Sequence, residues 1–162
     1  MQISRRAAAV GAAVLTGLAS LGVAGAAFAS PAAPAARASV QVLRLHTVFV
    51  PPVAVNHAGH LGPGDVTAVV FDLRTPSGAE AGKAYASCTQ VTASASLCHA
   101  AYVLKGGQIE VQVGGRGTGS RYTLAVTGGT GTYAGVTGWV RGVDTGPGTS
   151  NRTFYLIRPG QG

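Results

Sequence analysis

Few groups in this chain have the type and spacing for chemistry, and each points to a different kind. Gly129-x-Gly131-x-x-Ala134 follows the apolar Leu124-Ala125-Val126, which matches the strand-then-glycines half of a dinucleotide site. That site also needs a helix whose N-terminus meets the pyrophosphate, a second strand, and an acidic residue about 20 positions on. Here glycine recurs at Gly135, Gly138 and Gly142 with Thr and Val between, and the stretch reads as strand, tight turn, strand. His57-x-x-His60 has the spacing of a metal pair, but it sits in a loop-like segment with no third ligand near, so no metal is expected. No nucleophile elbow starts a serine or cysteine triad. What is left is Asp72 at the end of an apolar run, with Tyr85 and Tyr102 on the segments that follow: one acid or base and two phenols, suited to proton transfer or stacking against a small molecule.

The elements that position these groups lie in one compartment and one domain. Arg5 and Arg6, the uncharged run Ala7 to Gly25 and the Ala27-Phe28-Ala29 site make residues 1–29 an expected signal peptide. The run is Ala/Gly-rich with no stop-transfer charges directly after it, so no stable membrane insertion is expected once it is removed; Ser4-Arg5-Arg6 leaves the general and twin-arginine routes both open. Residues 30–38 read as a flexible Pro/Ala linker, and 39–162 as one domain in a secreted protein. Ten basic residues outside the signal face five acidic ones, but they are scattered singly and do not form a nucleic-acid stripe. Cys88 and Cys98 are the only cysteines; in an exported chain they most simply form a disulfide, worth about 2–3 kcal/mol, with a reactive thiol as the alternative.

No window outside the signal carries a helical stripe. Val40–Val50 is β-branched and half alternating, with Pro51-Pro52 expected to end it; Asp65–Leu73, Ala81–Thr92, Leu97–Leu104, Ile109–Val113, Arg121–Thr127, Val136–Val143 and Arg152–Arg158 complete eight strands. Gly128, Gly129 and Gly131 form the structural turn of the Gly128–Gly135 bend. Eight short strands joined by hairpin-like turns predict an all-β, eight-stranded antiparallel closed barrel, with a two-sheet sandwich as the other possibility. The second strand is apolar in both parities, so its outside is expected to be covered, as in an oligomer.

Parity assigns the faces. With Gly106-Gly107 as a hairpin tip, Tyr102 and Leu104 share a side with Ile109 and Val111, and with Ala100 and Cys98. A disulfide to Cys88 adds Ala86 and Ala84. If Pro76-Ser77-Gly78 is a three-residue turn, Asp72, Val70, Ala68 and Val66 join the same lumen.

Four stretches together resemble the allene oxide cyclase barrel and the related dirigent proteins, most closely the small secreted bacterial versions. They are Gly64-Asp65 with the strand to Phe71-Asp72, Tyr85-Ala86-Ser87-Cys88-Thr89, Leu104-Lys105-Gly106-Gly107-Gln108-Ile109-Glu110-Val111, and Leu124 to Gly135 with its Gly-Gly-Thr-Gly-x-aromatic bend. The resemblance implies an eight-stranded barrel with a ligand-sized interior, often a homotrimer, working without metal or organic cofactor. Cyclases of this kind close an unsaturated fatty-acid epoxide to a cyclopentenone, and dirigents steer phenoxy radicals or quinone methides to one stereochemical product. Asp72 falls at a dirigent acidic position. The first strand has no glutamate of the cyclase kind, and Thr137 stands where dirigents often carry arginine.

The expected function is therefore binding of a small apolar molecule, oxylipin-like or phenolic, and guidance of its cyclisation, isomerisation or stereoselective coupling. Asp72 is the candidate catalytic group, and Tyr85, Tyr102, Ala86, Ile109 and Val111 are the candidate ligand-binding residues. The alternative is a non-catalytic secreted carrier of a hydrophobic ligand.

Overall fold

The computed structural model describes residues 38–55, 62–116 and 119–158. The expected signal peptide, most of the linker, and His57 and His60 lie outside the described residues.

Eight strands close into one barrel in sequence order, every neighbour antiparallel: β1 Ser39–Val55, β2 Val66–Arg74, β3 Glu80–Thr92, β4 Ala95–Leu104, β5 Gly107–Arg116, β6 Arg121–Gly129, β7 Thr137–Gly146 and β8 Thr149–Arg158. Closure follows from β1 pairing with both β2 and β8, from Val48 opposite Thr149 to Ser39 opposite Arg158. A closed sheet leaves no edge of unpaired N–H and C=O groups, so the strands satisfy their backbone without a covering element.

Most strand boundaries move by a few residues from the sequence reading, and two of the shifts bear on the architecture. Pairing of β1 with β2 continues past Pro51-Pro52, with a register shift between Val50 and Ala54; the prolines, which cannot donate to the ladder, sit in that irregularity instead of ending the strand. Strand β8 begins at Thr149, because Pro147-Gly148 makes a tight turn with Gly148 at φ 70°. That places Ser150 within the strand.

The two ends of the barrel are built differently. At the end carrying the β2–β3, β4–β5 and β6–β7 connections, a single 3₁₀ turn, Gly131–Tyr133, folds over the β4–β5 hairpin. The Thr132 N–H and hydroxyl both donate to the Gly106 carbonyl (2.8 and 3.0 Å), and the Thr130 N–H donates to Gln108 (2.9 Å). Gly131 is left-handed at φ 60°, and a Cβ there would run into the Gly106 carbonyl, so only glycine lets the two backbones approach. Beneath this cap Leu45, Leu73, Ile109, Val126, Val136 and Leu156 fill the interior. At the other end the interior is a chamber.

The β4–β5 hairpin turns on Lys105-Gly106, with Leu104 opposite Gly107 and Tyr102 opposite Ile109. The register is two residues from that expected with Gly106-Gly107 as the tip. A shift of two keeps every side chain on its face. The β2–β3 connection behaves otherwise. Leu73 pairs with Gly82 while Arg74 pairs with Glu80, so Ala81 is an extra residue, and the Thr75 N–H closes the loop on the Ala79 carbonyl (2.8 Å). One extra residue exchanges the faces of β2.

Candidate functional site

The chamber holds about 430 Å³, within the usual range for small-molecule sites. Its walls come from residues in phase on adjacent strands: Val69 and Phe71 of β2, Ala86 and Cys88 of β3, Cys98, Ala100 and Tyr102 of β4, Val111 and Val113 of β5, Tyr122 and Leu124 of β6, Ser150 and Arg152 of β8. Small residues at Ala86 and Ala100, direct partners across β3 and β4, leave the space that larger side chains would fill. Cys88 and Cys98 are also direct partners and are joined by a disulfide, so the cross-link ties the chamber wall together.

The polar groups gather around Arg152. Along β8, Arg152 is in phase with the fully buried Phe154 and Leu156, and this alternation turns its side chain into the barrel. Opposite it on β7 is Gly142, itself opposite Tyr122 on β6. A Cβ at Gly142 would collide with the Tyr122 ring, so this glycine makes the seat in which ring and guanidinium lie. The Arg152 guanidinium carbon stands 4.9 Å from the centre of the Phe71 ring, 5.6 Å from Tyr102 and 5.8 Å from Tyr122, a cation held by three aromatic faces. Burial pushes its pKa down to about 10, which still leaves it protonated at neutral pH.

The hydrogen bonds fix where the protons sit. Ser150 Oγ receives Arg152 Nε–H (3.2 Å) and Tyr122 O–H (3.1 Å), which fills both of its lone pairs. Its own hydrogen therefore goes to Thr47 Oγ1 (2.7 Å), and Thr47 donates to the Ser150 carbonyl (3.2 Å). Arg152 Nη1 donates to the Tyr102 hydroxyl. The Tyr122 phenol is pushed above its usual pKa, chiefly by burial, so it stays neutral and can act as that donor. Asp144 also borders the chamber, but it is exposed near the end of β7.

Several residues singled out in the sequence are placed differently. Asp72 is not in the lumen. The extra residue at Ala81 turns it to the outer wall, where its carboxylate accepts from Lys83 Nζ at 2.6 Å, and Phe71 and Leu73 face inward in its place. Val66, Ala68 and Val70 share Asp72's parity, so they go outward with it, while Val69 lines the chamber. Tyr85 is 50% exposed on the outside, since it alternates with the inward Ala84 and Ala86. Tyr102, Ala86 and Val111 border the chamber, whereas Ile109 is fully buried in the packed half. Gly129 ends β6, Gly128 precedes it within the strand, and Gly131 opens the cap. Thr47, Tyr122, Gly142, Ser150 and Arg152 were not singled out by sequence; their signal was an arginine and a serine in phase with Phe154 and Leu156. Among the described residues no three His, Cys, Asp or Glu side chains gather as a metal site would require, and no helix is long and apolar enough to cross a membrane.

No protein-family model matches the sequence, and no curated protein sequence matches it. Solved structures do. A pyocyanin demethylase superposes with a TM-score of 0.62 at 20% identity, over 72% of this chain and 99% of the other. The pterocarpan synthase dirigent protein PsPTS1 gives 0.55 at 15%, over 80% and 99%. AbnU, an exo-specific intermolecular Diels-Alderase, gives 0.57 at 14%, over 75% and 98%. At such identities the likeness is one of fold, and the chain has the eight-stranded barrel found in dirigent proteins and in barrel cyclases.

Proposed function

We propose that this is an exported barrel that takes a small apolar molecule, oxylipin-like or phenolic, into its chamber and guides cyclisation, isomerisation or stereoselective coupling there. The observation that carries the reading is the chamber itself: about 430 Å³ with mostly apolar walls and one largely buried guanidinium set among three rings. Such a space can hold a flexible molecule in one near-reactive conformer, and this alone removes much of the entropic barrier to ring closure. The neighbours in fold include a pterocarpan synthase dirigent protein and an exo-specific Diels-Alderase, and a shaped apolar chamber suits chemistry in which the conformer held decides the product. With Asp72 outside, the polar part of the work passes to Arg152 and Tyr102, which donate hydrogen bonds to an oxygen and withdraw electron density from it.

A carrier function is the second reading. It is favoured by one feature: the only carboxylate bordering the chamber among the described residues is the exposed Asp144, so no buried carboxylate base faces the ligand. The two readings separate on turnover. Native mass spectrometry of the protein recovered from culture medium, with extraction of bound molecules, is expected to show one apolar ligand per barrel; incubation of that ligand's precursor with protein then yields one isomer if the barrel guides chemistry. Recovery of an empty barrel that takes up no apolar compound would remove both.

Assembly and export belong to the same proposal. The apolar outer side of β2, next to the exposed Tyr85, suits a contact between copies in a trimer, measurable as three times the chain mass by light scattering. Cleavage after Ala29 predicts a mature chain that starts at Ser30, read directly by N-terminal sequencing.

A further inference from the structure

We infer that the molecule held in the chamber carries an oxygen that is negative or becomes so, a phenolate, enolate or carboxylate, and that Arg152 and Tyr102 bind it together. The inference rests on the ligand-barrel reading above and adds the ligand's chemical class. It comes from the hydrogen-bond accounting. Ser150 Oγ, the central acceptor of the network, is saturated by Arg152, Tyr122 and Thr47. The donors are not. Tyr102 receives a hydrogen from Arg152, which leaves its own hydroxyl hydrogen without an acceptor among the described residues. Arg152 carries five N–H groups, of which one reaches Ser150 and one Tyr102.

The charge points the same way. The ion pair found among the described residues is Lys83 with Asp72, on the outer wall, and no carboxylate pairs with Arg152. Three ring faces offset part of the guanidinium's lost hydration without forming a bond to its edge. A largely buried cation with unused N–H groups beside an unused phenol hydrogen is a site for an oxyanion, since a charge-assisted bond replaces the hydration that burial removes. Thr47, Ser150 and Tyr122 act as positioning residues: they hold Nε and the ring so that the Nη edge is presented next to Tyr102.

The test uses matched probes on the full mature protein. 4-Nitrophenol and its methyl ether, 4-nitroanisole, have the same apolar body, and only the first can present an oxyanion, its proton passing to bulk water. We expect the wild type to bind 4-nitrophenol at least about tenfold tighter than the ether, as one charged hydrogen bond allows. The bound probe should keep its phenolate absorption at a pH where the free probe is protonated. Arg152→Met should bring the ratio to about one while the ether still binds; Tyr102→Phe should lower it severalfold, and Arg152→Lys should retain part of it. If Arg152→Met does not fold, the latter two variants carry the test. Equal binding of both probes by the wild type overturns the inference and leaves the ligand barrel standing, whereas failure of both to bind removes the ligand barrel as well. Repeating the comparison with 4-nitrobenzoate and its methyl ester separates a carboxylate-bearing ligand from a phenolic or enolic one.

Discussion

Two charged sites, one on each side of the same barrel wall, use charge in opposite ways. On the outer face of β2 and β3, Asp72 and Lys83 are direct cross-strand partners at 2.6 Å, both open to water. Coupling to Asp72 raises the Lys83 pKa, yet in water each partner is solvated almost as well alone, so such a pair adds little to folding. Inside, Arg152 has lost most of its water and has no carboxylate partner among the described residues, and burial lowers its pKa. The outer pair is complete and chemically idle. The inner cation is incomplete, and that is what fits it to a ligand.

The sharpest way to disturb the inner side is to remove its packing. Phe154 is fully buried and meets Tyr102 edge to face, 4.9 Å between centres. Phe154→Ala should lower stability by about 3–5 kcal/mol and release the Tyr102 ring, seen as a lower urea midpoint together with loss of probe binding. Next in size is the cross-link. Reduction, or the Cys88→Ser/Cys98→Ser pair, should cost about 2–3 kcal/mol for a loop with sequence separation 10 and leave the outer wall unchanged.

Arg152→Met sharpens the contrast because its two effects run in opposite directions. Oxyanion preference is lost, but an unpaired buried charge is replaced by an apolar side chain, so stability should hold or rise by about 1 kcal/mol. The pH dependence has a definite sign. The folded-state pKa, about 10, is below the ordinary guanidinium value, so between the two the unfolded chain binds the proton more tightly. The burial cost of the charged form is present in full below about pH 10 and fades as pH rises through that window. The stability gap between Arg152→Met and wild type should therefore narrow above about pH 10; a gap that widens there would place the charge in a favourable site. The smallest effect belongs outside: Asp72→Asn should leave both the urea midpoint and probe affinity within error.

The same wall explains what sequence could convey. Strand β5 and its hairpin with β4 were legible because Ile109, Val111 and Val113 alternate cleanly and a hairpin misjudged by two residues keeps its faces. The phase of β2 was not, because one unpaired residue at Ala81 decides it and both parities of Val66–Phe71 are apolar. Gly82, inside a strand pattern and at φ 144°, is the trace such a bulge leaves in sequence. Arg152 was hidden for a different reason: an isolated arginine near a strand end reads as surface until the strand is seen to begin at Thr149 and its phase is set by Phe154 and Leu156. The glycine bend was recognisable as a turn, though its role as a cap over Gly106 depends on a contact across more than twenty residues.

Titration of 4-nitrophenol into wild type, Asp72→Asn and Arg152→Met, followed by the phenolate absorption of the bound probe, tests most directly which side of the wall does the work. Wild type and Asp72→Asn should bind alike and stabilise the phenolate, and Arg152→Met should bind the probe only as weakly as its ether, with no phenolate stabilised. If Asp72→Asn loses the probe while Arg152→Met keeps it, the active side has been placed on the wrong face.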